Sequence, residues 1–308
     1  MSSSIEVVKR YVEDCHQCFV DGERAGSFIR ENDMFALQRK HKNLQKRKAE
    51  IVKNIVDGYI VREQKFYNRS IVDYGLTLQH VIKQCEKLYI EEQIQLRRAV
   101  IEDGEVIDDY QIHRDGVVDK DLPDPSSFRQ VFNDRQGDRS RVDYNYDRLA
   151  VVRYAERWWN DFNPEYKKFE NDCTNFISQC LQAGGAPMIG HPDRANGWWY
   201  RNKSWSYSWT VAHALRWYFS GAKTGLQARE VSSADELMRG DIICYDFNGD
   251  GRWDHTTVVV AKDGDGFPLV NAHTANSRMR YWAYEDSTAW TENIKYKFFH
   301  ILDKQSNT

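Results

Sequence analysis

Apolar residues recur along this chain with two periods, and each change of period marks a change of element. Ile5, Val7, Val8, Tyr11, Val12 and Cys15 return at three- and four-residue steps, which predicts an amphipathic helix over residues 5–20. A second helix is predicted over 33–54, with a basic face at Arg39-Lys40-His41-Lys42 and Lys46-Arg47-Lys48 that reads as solvated. From 56 to 114 the period shortens. Tyr59-Ile-Val, Phe66-Tyr67, Ser70-Ile-Val-Asp-Tyr and Leu88-Tyr-Ile read as strands, and Glu102-Asp-Gly-Glu predicts a hairpin after Ala99-Val-Ile. The stretch 79–87 fits either period. Two helices feeding a strand run predict an α+β first domain over 1–118.

Residues 119–143 are polar, contain Pro123 and Pro125, and read as a linker. Residues 144–308 then form the second predicted domain. Leu149, Val152, Tyr154, Ala155 and Trp158-Trp159 predict a helix that stops before Pro164. Phe176, Ile177, Cys180 and Leu181 predict the next, ended by Gly184-Gly185. A further helix is expected at 211–219. After Gly240 the pattern becomes strands: Ile242-Ile-Cys-Tyr, Thr256-Thr-Val-Val-Val-Ala, Pro268-Leu-Val-Asn-Ala-His and 296–302. A helical half feeding a strand-rich half is the layout of a papain-type α+β hydrolase.

Composition narrows the functional classes. The chain is 41% hydrophobic and 29% charged, ordinary for a globular protein. Its net charge of -3 gives no basic field for nucleic acid. No run is long enough to span a membrane and no secretory h-region follows Met1, so a cytoplasmic chain is expected, or a secreted one whose signal has been removed. The six cysteines then read as thiols, and Cys15-x-x-Cys18 as helix packing rather than half a zinc site.

One thiol stands apart. Cys173 follows Asn171 and Asp172, residues of N-cap type, so it falls in the first turn of its helix. Free backbone N–H groups and the positive end of the helix favour a thiolate there, which a cysteine nucleophile needs. The plainer reading is a small buried apolar residue. A nucleophile requires a base and a group that orients it. His255 opens the most β-branched run in the chain and is the expected base. Asp263-Gly-Asp-Gly266 predicts a hairpin. An odd connection puts His255 on one face with Asn271 and His273, and an even one turns both away. His273 is the expected orienter, with Asn271 in reserve, while Asp254 adjoins His255 and points elsewhere.

Two other stretches invite chemistry. Asp246, Asn248, Asp250 and Asp254 stand at positions 1, 3, 5 and 9 of a calcium-type loop with Gly251 at 6, but Thr257 occupies position 12, where an acid belongs. A structural Ca2+ is one reading and a plain turn the other; the chemistry itself requires no cofactor. Trp198, Trp199 and Trp209 are expected either to line a groove for a glycan or peptide or to pack in the core, and Asp172 is a further candidate for binding substrate.

Tyr154-Ala-Glu-Arg, Asn163-Pro-Glu-Tyr, Asp172-Cys-Thr-Asn-Phe-Ile-Ser-Gln-Cys-Leu-Gln-Ala-Gly, Ser208-Trp-Thr-Val-Ala, Arg239-Gly-Asp-Ile and Trp253-Asp-His together resemble the putative amidase domain family of bacterial proteins. The resemblance covers 144–302 and implies kinship with NlpC-type and CHAP-type papain-like hydrolases. It implies Cys173 as nucleophile, His255 as base, His273 as third member, and a peptide or peptidoglycan amide as substrate. The element order of the first domain resembles a nuclear-transport-factor-like roll. A transglutaminase-like acyl transferase, or a glycan- or peptide-binding module on the same fold, are the competing readings. Nothing in the sequence speaks to the oligomeric state.

Overall fold

The computed structural model describes residues 3–21, 29–112 and 144–303. The expected linker at 119–143 lies outside these, as does the side chain of Cys18. The chain divides into two compact units. The first is Met1–Arg114 with Asp263–Asp265 and Ala275–Trp290, and the second is Asp115–Lys262, Gly266–Thr274 and Thr291–Thr308. Both combine helices with antiparallel sheet, a mixed α+β architecture.

In the first unit, α1 (Ser4–Asp21) and α2 (Glu31–Lys46) precede β1 (Ala49–Lys65), β2 (Arg69–Gln84), β3 (Lys87–Glu102) and β4 (Glu105–Gln111). Each strand pairs antiparallel with the next. Val7, Val8, Tyr11 and Val12 form the buried stripe of α1 and pack on Val72, Tyr74, Leu76 and Leu78 of β2. The predicted hairpin at Asp103-Gly104 is present, with φ of 49° and 85°, as a primed turn requires.

Two expectations fail here. The helix predicted to reach residue 54 ends at Lys46, because Ala49 and Ile51 pack with Leu44 and Ile82 as strand residues of β1. Phe66 and Tyr67 are turn, not strand.

The basic run is only partly solvated: Lys42, Lys46 and Lys48 are exposed, but Lys40 and Arg47 are buried. Lys40 is buried between Glu91 and Asp286, and Arg280 donates to Asp286 at 2.8 Å. Burial works against the charge of Lys40, but those two carboxylates outweigh it and hold the ammonium above its usual range. Arg47 donates to Asp263 at 3.1 Å, and Asn43 to Glu285 at 2.9 Å.

The second unit begins with α3 (Arg148–Trp158), capped by Asp147, whose carboxylate accepts the N–H groups of Leu149 and Ala150. Then come α4 (Cys173–Ala183), the short hairpin β5 (Tyr200–Arg201) and β6 (Ser204–Trp205), α5 (Tyr207–Thr210), α6 (Ala212–Gly221) and β7 (Ala228–Val231). The last strands of this unit are β8 (Ile242–Asp246), β9 (His255–Lys262), β10 (Pro268–Ala272) and β12 (Lys295–Ile301), while β11 (Ser277–Tyr281) belongs to the first unit. Strand order in the second unit is β10-β9-β8-β12-β7, all antiparallel.

Helix α4 packs on α3 and β9. Phe176, Ile177, Cys180 and Leu181 are fully buried there, each large side chain contributing about 1.5–3 kcal/mol of burial. Gly184 ends the helix and Gly185, at φ 87°, turns the chain away. Among the described residues no helix is long and apolar enough to cross a membrane.

Candidate active site

Cys173 is the first residue of α4 and is 5% exposed. Asp172 stands at the N-cap position, yet its carboxylate caps nothing in α4. Oδ1 instead accepts from the Phe169 N–H and the Asn175 amide, both at 2.9 Å. Oδ2 lies 2.8 Å from His273 Nδ1. The first N–H groups of the helix are met from a distant residue. Thr274 Oγ1 accepts from the N–H of Asp172 at 3.1 Å and from that of Cys173 at 3.2 Å.

The sulfur lies against β9. The N–H and hydroxyl of Thr256 approach it, as does the hydroxyl of Thr174 at 3.7 Å. Burial pushes the thiol above its ordinary range, and those hydrogen bonds pull the other way without prevailing. The thiol is therefore protonated at neutral pH in this arrangement, and a base is needed to ionise it.

His255 is the first residue of β9, as expected, and is 7% exposed. Its neighbour Thr256 reaches α4, with Oγ1 at 3.1 Å from Thr174 Oγ1. Alternation along the strand then directs His255 to the opposite face, with Thr257. There its ring centroid lies 5.6 Å from Tyr245 and 6.1 Å from Phe247.

The hairpin from β9 to β10 forms at the expected place, but its register breaks at a bulge between Leu269 and Val270. Leu269 pairs with Ala261, whereas Asn271 pairs with Val258. That one-residue slip moves Asn271 and His273 to the face of Thr256 and away from His255. The expected orienting role of His273 therefore does not hold in this geometry. Its Nδ1 meets Asp172, its Nε2 lies 2.7 Å from the Trp158 carbonyl, and its ring stacks on Phe176 at 4.0 Å. One ring nitrogen thus faces the Asp172 carboxyl and the other a backbone carbonyl, which fixes the ring at both ends. Asn271 donates to Glu156 Oε1 at 2.9 Å and does not take up the reserve role.

The three tryptophans are core. Trp198 and Trp209 are fully buried and Trp199 is 1% exposed, which corrects the groove reading. Trp209 Nε1 donates to Asn175 Oδ1 at 2.9 Å and Trp198 Nε1 to Ser178 Oγ at 3.0 Å, so both rings brace α4. Asp172, at 2% exposure, is likewise a scaffold residue rather than a groove wall.

The calcium reading also yields. Asp246 accepts the N–H groups of Gly249, Asp250 and Gly251, closing the loop on itself. Asp250 accepts from the Arg252 N–H, Asp254 accepts from the Phe247 N–H, and Asn248 sits in the same turn. Among the described residues no three His, Cys, Asp or Glu side chains converge on a point that suits a metal ion.

Sequence reasoning missed Thr256 and Thr274, two hydroxyl residues that meet Cys173 from elsewhere in the chain. Each directly follows a histidine at a strand terminus, and that placement is the only signal the sequence offers.

Comparison with known proteins agrees with the reading of the second unit. The profile of the Putative amidase domain matches residues 145–299. The chain is 46% identical over 306 residues to the Uncharacterized protein YhbB of Bacillus subtilis (strain 168), covering 96% of each. It is 28% identical over 158 residues to the Uncharacterized protein YjcM of the same organism, covering 48% of this chain and 36% of that one. No solved structure matches.

Proposed function

The chain belongs to the Putative amidase domain family, and on that premise we propose that it hydrolyses amide bonds with Cys173 as nucleophile and His255 as base. The observation that carries this reading is the position of the sulfur. It sits at the start of α4, against the N–H of Thr256, the residue directly after His255. His255 leaves β9 on the face opposite Thr256, so this reading requires the backbone at the head of β9 to turn over and bring imidazole to thiol. A helix start wedged beside a strand head in an antiparallel sheet is the papain-like plan, which the resemblance to NlpC-type hydrolases also favours.

His255 takes the thiol proton, and the sulfur attacks the substrate carbonyl carbon. The carbonyl electron pair moves onto oxygen and then returns, breaking the C–N bond. The imidazolium gives its proton to the departing amine. Water, deprotonated by His255, next attacks the thioester, and the C–S bond breaks to restore Cys173 and release a carboxylic acid. A peptide amide, including a peptidoglycan stem, is the substrate class we infer. Asp172 and His273 act as positioning residues that fix the first turn of α4. Burial of Trp198, Trp199 and Trp209 removes the aromatic groove on which a glycan-binding module would rest.

Turnover of p-nitrophenyl acetate tests this without knowledge of the natural substrate. Cys85 is exposed, so the comparison is made in a Cys85→Ser background. Cys173→Ala is expected to reduce turnover to the buffer rate, and His255→Ala to lower it about 10²–10⁴-fold, as for loss of a general base. A Cys173→Ala protein that still turns over at the parental rate would refute the nucleophile.

A further inference from the structure

The N–H of Cys173 is the natural candidate for holding a developing oxyanion, but a side chain already occupies it. Thr274 Oγ1 accepts from that N–H and from the N–H of Asp172. A hydroxyl has two lone pairs and one proton. With both lone pairs engaged, Thr274 has only a proton left to offer. Among the described residues no acceptor takes it. Thr274 is half-buried, so the proton has a route outward.

The backbone at Thr274 is unusual too. Its φ is 80°, in the left-handed region where a β-branched residue is an outlier. Conformations of that kind persist when the surroundings enforce them, and they cluster at functional sites. Here the enforcement is visible. The preceding residue, His273, is fixed at both ring nitrogens and by stacking on Phe176. The hydroxyl is thereby locked one hydrogen bond from the backbone of the residue that bears the sulfur.

We propose that the Thr274 hydroxyl is the oxyanion donor of this site. The proposal rests on the reading of Cys173 as nucleophile. The two N–H groups at the positive end of α4 polarise the hydroxyl oxygen, and its O–H hands that polarisation on. When the sulfur bonds to the carbonyl carbon, the electron pair moves onto the carbonyl oxygen, and Thr274 donates a hydrogen bond to it. The Thr274 proton stays on its oxygen throughout. When the pair returns and the leaving group departs, that hydrogen bond weakens again. Nothing is consumed. Thr274 is thus a catalytic residue, and the backbone N–H of Cys173 acts through it.

The rival account makes Thr274 a cap for α4 and nothing more. Two reagents separate the accounts, both scored at Cys173 by peptide mass spectrometry in the Cys85→Ser background. Acetylation by p-nitrophenyl acetate passes through a tetrahedral oxyanion. Alkylation by iodoacetamide displaces iodide at a saturated carbon and builds none. Thr274→Val is expected to slow acetylation about 10²–10³-fold, the usual loss for one oxyanion donor. It should leave alkylation within about twofold of the parent, because an oxyanion donor acts only where negative charge develops on oxygen. Thr274→Ser, which keeps the hydroxyl, should acetylate close to the parental rate. Should the valine protein fail to fold, Thr274→Ala carries the same comparison. Equal slowing of both reagents, or parental acetylation in the valine protein, overturns the assignment and leaves Cys173 as nucleophile untouched. If the parent takes neither reagent at Cys173, the nucleophile reading fails and Thr274 falls with it.

Discussion

The interior of the first unit and the head of α4 both bury polar atoms, and they handle them in opposite ways. In the first unit the buried charges are matched. Lys40 lies between Glu91 and Asp286, Arg280 on Asp286, and Arg97 on Asp109 and Asp33. These pairs face a cavity of about 140 Å³ without leaving it a net charge among Lys40, Arg97, Arg280, Asp33, Asp109 and Asp286. Around the head of α4 stand a buried thiol, the buried hydroxyls of Thr174 and Thr256, the half-buried hydroxyl of Thr274 and the Asp172–His273 pair. There a thiol and a hydroxyl proton are left over. Fully matched charges make scaffold, whereas leftover donors and nucleophiles make chemistry.

That contrast can be broken from either side. Lys40→Met leaves Glu91 and Asp286 without their shared cation, so about 3–5 kcal/mol of stability should be lost in urea unfolding. A change under about 1 kcal/mol would mean the matched charges contribute little.

Acid should act next, and on the first unit. Burial, with Arg97 assisting, pushes His16 down to about 4, and His80 moves the same way. Folded His16 stays neutral where the unfolded chain already binds a proton near pH 6.5, so stability falls as pH drops between those values. The loss by pH 4.5 should be roughly 2–3 kcal/mol for His16 alone. A urea midpoint that is flat from pH 7 to pH 4.5 would contradict this.

The smallest effect concerns the Asp246 loop of the second unit, whose carboxylate is satisfied by backbone N–H groups. Excess EDTA should leave the melting temperature unchanged, and a fall would reinstate a bound cation.

Much of the fold was legible because its signals are local. The apolar steps of α1 and α4, the β-branched run of β9 and the turn at Asp103-Gly104 all lie within single elements. The position of Cys173 at a helix start and of His255 at a strand head followed from the same patterns. What the sequence hid depends on distant partners. The burial of Lys40 is decided by residues 51 and 246 positions away. One bulge at Leu269 and Val270 sends Asn271 and His273 to the face away from His255, and bulges have no dependable sequence mark. Thr274 meets Cys173 across 101 residues, so no local pattern at either end announces the pair. The tryptophans were ambiguous because a large aromatic suits a groove or a core equally well, and here Asn175 and Ser178 of α4 settle them inside.

The central claim is that the Cys173 sulfur forms the acyl bond. Brief exposure to p-nitrophenyl acetate, quenching in acid and peptide-resolved mass spectrometry test it most directly. The account predicts one acetyl group on the peptide carrying Cys173, and its loss in His255→Ala. An acetyl group confined to the exposed Cys85, with the Cys173 peptide unmodified, would contradict it.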